Sequence, residues 1–188
     1  MAQAYTIRPF DGSDADVERA VIVLREAYRV LEPTFVQPTP DFEAAAWAPR
    51  MREAGTEWAV LQAPDGHVAG FAGWRLNAVQ SHLHALFVAH ADQRRGYGRA
   101  LLHYHWAAAL RRCPSIEVFT LHVREPALWA RWLYVSEGYR YYAPGAEETY
   151  PALNVWIDAC RARGVWPLPA PKLLMYRPAG GRAVISGG

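Results

Sequence analysis

Two glycines and three arginines stand where an apolar, strand-like run turns into a helix-like one, in Gln93-Arg94-Arg95-Gly96-Tyr97-Gly98-Arg99-Ala100. The run before is Leu83-His84-Ala85-Leu86-Phe87-Val88, and the run after extends from Ala100 to Leu110. A helix leaves its first N–H groups without acceptors and carries about half a positive charge at that end. Glycine there removes the Cβ that would hold an anion off the backbone. Arg94, Arg95 and Arg99 add full charges. The stretch predicts a pyrophosphate seat on a strand-turn-helix unit; a glycine-bearing turn on a basic surface is the plainer alternative.

Known phosphate loops narrow this. A P-loop needs a lysine followed by serine or threonine after its last glycine, and neither is present. A dinucleotide fingerprint needs a third glycine where Leu101 stands. A third spacing, Gln/Arg-x-x-Gly-x-Gly/Ala, fits Gln93, Gly96 and Gly98 without a gap.

The chain of 188 residues is 52% hydrophobic and 20% charged, which suits one folded domain. Its net charge of +2 argues against a broad nucleic-acid-binding face. Cys113 and Cys160 have no metal-ligand or disulfide spacing. The start shows no signal-peptide core and no apolar run could span a bilayer, so a soluble, cytoplasmic protein with no membrane partner is expected.

In chain order, Tyr5–Phe10 reads as a strand. A helix follows from Ser13 or Asp14, with Val17, Ala20, Val21, Leu24, Tyr28 and Leu31 on one face. A second helix opens at Pro40-Asp41 and runs toward Met51, where Pro49 should kink or split it. Pro64-Asp65-Gly66 predicts the turn of a hairpin between Glu57–Ala63 and His67–Leu76. A strand over about Ser81–Ala89 feeds the glycine loop. Ile116–Val123 is a central strand, and a helix from Pro126 ends near Gly138. Tyr139–Tyr142 and Pro171–Tyr176 are the last strands, with a short helix near Asn154–Arg163 between them. No repeat or linker interrupts the chain.

The helix after Pro126 carries Ala130-x-x-x-Tyr134-x-x-x-Gly138-Tyr139, whose spacing of four puts the first three on one stripe. Together with the Gln93–Gly98 pattern and the strand between them, it resembles the two signatures of the GNAT N-acetyltransferases, over roughly Tyr5 to Tyr142 plus a last strand. Ala127 departs from the family's usual asparagine at that place. Tyr139 stands for the usual phenylalanine.

The resemblance implies an α/β (α+β) fold: a single mixed, mostly antiparallel twisted sheet with helices on both faces. It would form one domain over residues 1–188, with an insertion at about 145–170 and a frayed tail from about 179. It implies acetyl-CoA as donor, in a V-shaped gap between the strand before the glycine loop and Ile116–Val123. Leu86, Phe87 and Val88 would pair with the pantetheine arm. The segment Gln93, Arg94, Arg95, Gly96, Tyr97, Gly98 and Arg99 would hold the pyrophosphate, and Ala127 would lie beside the cofactor. Tyr134 matches the acid that protonates the leaving thiolate.

An alkyl ammonium is only about one part in a thousand neutral near pH 7, so an attacking amine needs a base. The strand before the loop offers His82 and no carboxylate; a water chain is the alternative. His84 should share a face with His82. No third ligand joins His82 and His84, so no metal is expected. The acceptor, a small-molecule amine or a peptide, would meet Glu32–Pro40, with Phe35, and Gly145–Ala170, where Glu147 and Glu148 could attract a cation. Trp74, Tyr141, Tyr142, Tyr150 and Trp156 are aromatic candidates for the same pocket. A homodimer is compatible with this reading. The alternative function is a non-catalytic acyl-CoA-binding module of the same fold, to which the departure at Ala127 points.

Overall fold

The hairpin expected at Pro64-Asp65-Gly66 forms. Gly66 adopts φ +86°, and its N–H donates to the Ala63 carbonyl at 2.9 Å. The flanking strands β2 (Thr56–Gln62) and β3 (Val68–Leu76) pair antiparallel, from Thr56↔Arg75 to Gln62↔Val68. The computed structural model of the chain describes residues 5–31, 43–168 and 170–180. The expected start of the second helix at Pro40–Phe42, the Glu32–Pro40 segment with Phe35, and most of the expected tail lie outside them.

The chain divides into two compact units, Met1–Arg75 with His84–Ala108, and Leu76–Leu83 with Ala109–Gly188. In the first, β1 (Thr6–Pro9) pairs antiparallel with β2. Helix α1 (Asp14–Leu31) starts where Ser13 Oγ accepts the Asp16 N–H at 3.2 Å. Arg8 grips the buried Asp16 carboxylate with two hydrogen bonds, at 2.6 and 2.7 Å, tying β1 to this first turn. Val17, Val21 and Leu24 pack with Trp58, Val60, Phe71 and Met51 of helix α2 (Ala44–Met51). Pro49 does not split α2. It sits near the end, where the Arg52 N–H still reaches the Ala48 carbonyl at 3.0 Å.

Side chains alternate across a strand, so Phe71 and Trp74, three apart, leave β3 on opposite faces. Phe71 meets the α1 core. Trp74 lies against Tyr104 and His105 of α3 (Tyr97–Arg112), with ring centroids 6.4 and 5.1 Å apart. Helices therefore cover both faces of β3.

In the second unit the first residues of β4 (Gln80–Val88) pair parallel with β5 (Val118–Arg124), from Gln80↔Val118 to Leu83↔Leu121. Strand β7 (Lys172–Pro178) lies antiparallel to β5 along its whole length and receives β6 (Arg140–Tyr141) on its other side. The strand order is β1-β2-β3-β4-β5-β7-β6, a seven-stranded, mixed, mostly antiparallel sheet. Between β5 and β7 come α4 (Leu128–Ser136), α5 (Ala146–Thr149) and α6 (Leu153–Ala162). The 145–170 addition is a core element: Leu153 and Ile157 of α6 bury against Val118, Leu174 and Tyr176, with Trp156 and Trp166 packed beside them. No helix among the described residues is long and apolar enough to cross a membrane.

Gly73 is required by space. A Cβ there would lie 2.4 Å from the Trp58 ring. Gly73→Ala is expected to cost about 1–3 kcal/mol of stability by chemical denaturation, as overpacking does. Trp58→Phe should recover part of that loss, and a fully additive double variant would show that the two do not touch.

Candidate functional site

Leu86, Phe87 and Val88 are half-buried at the C-terminal end of β4, beyond the four β5 pairs. Gly70 of β3 lets this end come close: a Cβ there would sit 2.8 Å from the Phe87 carbonyl oxygen and 3.1 Å from Leu101 of α3. The Ala89 N–H donates to the Ala69 carbonyl at 2.8 Å, holding the strand as it leaves the sheet.

A single 3-10 turn, His90–Asp92, follows. The Gln93 amide then folds back and donates to the Val88 carbonyl at 3.3 Å. The backbone reverses through two left-handed residues, Arg94 at φ 62° and Gly96 at φ 82°. Only glycine takes that region at no cost, and a non-glycine there marks a constrained turn. The Gly96 carbonyl accepts the Ala100 N–H at 3.0 Å, which makes it the first intrahelical acceptor of α3. The N–H groups of Gly96, Tyr97 and Gly98 belong to the turn that a helix leaves without intrahelical acceptors. Arg94, Arg95, Gly96 and Arg99 are exposed. Backbone dipoles, turn geometry and three guanidinium side chains thus favour an anion in one place.

Tyr97 differs from the expectation in one respect. Its side chain is 1% exposed and packs on Tyr5, with centroids 5.7 Å apart. Its hydroxyl has no hydrogen-bond partner among the described residues. Only its backbone faces the loop's task.

In the second unit, Ala127 precedes α4 as its N-cap, buried and offering no side-chain acceptor. The spacing of Tyr134, Gly138 and Tyr139 has a local reason. Gly138 (φ +85°) reverses the chain after α4. The Tyr139 N–H donates to the Tyr134 carbonyl and the Gly138 N–H to Val135, both at 3.0 Å. That is a Schellman end, completed by the Tyr134 and Tyr139 rings edge to face at 5.7 Å. Burial pushes the Tyr134 phenol well above its ordinary value, so it keeps its proton.

His82 clusters with two rings, His122 at 5.5 Å and Trp156 at 4.9 Å between centroids, themselves 6.4 Å apart. Its Nδ1 is 3.0 Å from Thr120 Oγ1, which also accepts Gln80 Nε2 at 3.1 Å. His122 shares a face of β5 with Thr120, two residues before it, and burial, then Lys172 and Arg124, hold it down at about 4. His84 follows His82 two residues on. It meets the edge of Trp58 at 4.8 Å. His105, on α3, is fully buried and held down at about 3 by desolvation and His84. Among the described residues no three His, Cys, Asp or Glu side chains are placed to hold a metal ion.

Of the expected acceptor-segment residues, Glu147 is engaged locally. It accepts the Tyr142 hydroxyl at 2.8 Å and the Gly145 N–H at 3.2 Å, and its own backbone N–H first, then these two, hold it below its ordinary value. Glu148 is exposed. Sequence reasoning missed His122, which only strand register brings beside His82. It also missed a contact of His67 with Asp92, 25 residues apart and with no shared spacing.

A family model described as the acetyltransferase (GNAT) domain matches residues 28–149. The chain belongs to the GNAT acetyltransferase family. Solved structures share its fold. One is the PaiA N-acetyltransferase from Thermoplasma acidophilum in complex with coenzyme A: TM-score 0.65, 13% identity, covering 93% of this chain and 99% of that one. Another is the ribosomal-protein-S18-alanine N-acetyltransferase from Escherichia coli: TM-score 0.64, 18% identity, covering 98% and 100%. A third is a spermidine N-acetyltransferase chimera from Vibrio cholerae and hSSAT: TM-score 0.61, 14% identity, covering 93% and 95%. Comparison with curated proteins gives no match.

The Schellman end gives a clean test. A Cβ at Gly138 would meet Arg177 only at ordinary contact distance, 3.5 Å, so the penalty for Gly138→Ala is its left-handed backbone. We expect a loss of about 1–2 kcal/mol, which a chain this long shows as roughly 2–8 °C in melting temperature. An unchanged melting curve would mean that the helix end does not need a left-handed residue.

Proposed function

We propose that this GNAT protein transfers an acetyl group from acetyl-CoA to a primary amine by direct attack. The observation that carries the reading is the α3 turn: Arg94 and Gly96 left-handed, and the N–H groups that follow aimed away from the helix. Such a turn fits a pyrophosphate. Acetyl-CoA supplies a thioester, whose carbonyl carbon an uncharged amine attacks as the carbon–sulfur bond breaks.

In this reading the backbone of Leu86–Val88 orients the pantetheine arm, and Gln93 to Arg99 hold the pyrophosphate. Tyr134, kept protonated by burial, donates its proton to the departing thiolate. His82 accepts the amine's proton, directly or through water. With the ring proton on Nδ1 donated to Thr120 Oγ1, Nε2 keeps the lone pair this step requires. Trp156, stacked on His82, comes from the 145–170 segment and would place an acceptor's apolar part beside the base. The named acceptors of the solved relatives, a ribosomal-protein alanine and spermidine, support amines as the class. An intracellular site of action fits an acetyl-CoA donor.

A second reading, a GNAT fold that binds acyl-CoA without turnover, draws on the cap-less Ala127. Tyr134→Phe separates the two. The enzyme should lose about 10²–10⁴-fold in kcat while the calorimetric Kd for CoA stays within about twofold, less than 0.5 kcal/mol. The native chain should also show no descending limb in its pH–rate profile up to pH 10, since Tyr134 stays protonated. If neither acetyl-CoA nor CoA raises the melting temperature at millimolar concentration, both readings fall. If they raise it and no amine in a broad panel releases CoA, the binding module stands.

A further inference from the structure

The Asp92 carboxylate is 5% exposed, and it lies at the entrance of the α3 loop. A buried carboxylate without a cationic partner is costly, and one beside an anion seat also repels the anion. Asp92 has two cationic neighbours. His67 Nε2 is 2.8 Å from Oδ2, and Arg95 Nη1 is 3.5 Å from Oδ1. His67 follows the β2–β3 turn, so it joins that turn to the loop from outside the loop's own sequence.

The other ring nitrogen of His67 also faces a carboxylate: Nδ1 is 2.5 Å from Asp65 Oδ1. A neutral imidazole has a single N–H and can donate to one of the two; only the imidazolium donates to both. The geometry is therefore that of a charged His67. The charged groups that face it are Asp65 from its own turn and Asp92 from the 3-10 turn, with Arg95 on the far side of Asp92.

We propose that His67 is a positioning residue for the phosphate-binding loop: as the imidazolium it neutralises Asp92 and thereby leaves Arg95 to the pyrophosphate of CoA. Once His67 loses its proton, Asp92 draws on Arg95 alone, and carboxylate and pyrophosphate compete for one guanidinium. The inference rests on the CoA reading above for the identity of the anion, but the clasp itself does not.

The direction with pH follows from the raised value of His67, caused by Asp92 first and Asp65 second. A raised imidazole contributes fully below its ordinary value of 6.5 and loses that contribution as pH climbs through the higher folded value. The loop should be tightest under mildly acidic conditions and loosen above neutrality.

The experiment compares the native chain with His67→Gln and Asp92→Asn from pH 5.5 to 9. In the absence of ligand, the His67 ring is titrated by NMR and amide hydrogen exchange is followed over Gln93–Gly98. Calorimetric Kd values for CoA are then taken at each pH. Each is read as the ratio of variant to native, which cancels the titration of the CoA phosphates. At pH 6 the His67→Gln chain should bind CoA about three- to tenfold more weakly than the native chain, and the ratio should approach one as His67 deprotonates. Divided by the base-catalysed intrinsic rate at each pH, loop exchange should lose protection in the native chain as His67 deprotonates, while the protection stays flat with pH in both variants. Parallel Kd curves, or loop exchange indifferent to the His67 titration, would overturn the proposal. Should exchange follow His67 while CoA binds neither chain, the clasp stands and the CoA reading is what fails.

Discussion

An α-helix cannot satisfy its own first N–H groups, and this chain leaves that deficit exposed at the start of α3 rather than capping it with a serine, threonine or aspartate. Much of the first unit serves to hold that turn. Gly70 lets β3 approach the end of β4 within a distance that a Cβ would forbid. The Gln93 amide is used to fold the chain back onto Val88. Trp74 packs α3 against the sheet. Asp92 and His67 fix the turn's entrance. Positive charge, left-handed backbone and a fixed helix start then coincide, the combination that favours an anion.

The second unit shows how one residue pattern can answer two demands. The spacing that matches a GNAT signature, Tyr134-x-x-x-Gly138-Tyr139, is also a complete helix ending, with both Schellman hydrogen bonds and the ring contact between Tyr134 and Tyr139. Burial within that ending keeps the Tyr134 phenol protonated. In the proposed mechanism a structural and a chemical role would meet at this one side chain, and only a substitution that retains the ring, such as phenylalanine, can separate them.

The elements with local causes were legible in the sequence. The Ser13 cap, the Pro64-Asp65-Gly66 hairpin, the α1 stripe and the Gly138 helix stop each rest on residues a few positions apart, and each is found. The conformation of the glycine loop was legible for the same reason, since it follows from a strand, a turn and a helix in succession. What escaped depends on register and tertiary approach. His82 and His84 share a period of two, yet their ring neighbours are His122 and Trp156 for one and Trp58 for the other. Tyr97 sits in the loop's pattern, but its ring belongs to the core. Glu147, read from the sequence as able to attract a cation, also closes its own turn with Tyr142 and Gly145. Only the strand pairing Gln80–Leu83 with Val118–Leu121 brings Thr120 to His82.

The central claim is that the turn at the start of α3 recognises a pyrophosphate. A calorimetric comparison of CoA with pantetheine, which has the same thiol arm and no phosphate, measures that most directly. If the turn supplies the recognition, pantetheine should bind at least about 100-fold more weakly than CoA, a difference of roughly 2.7 kcal/mol, and the gap should narrow as salt is raised. Equal affinity for the two would contradict the account, because binding would then owe nothing to Arg94, Gly96 and the helix start that the fold holds in place.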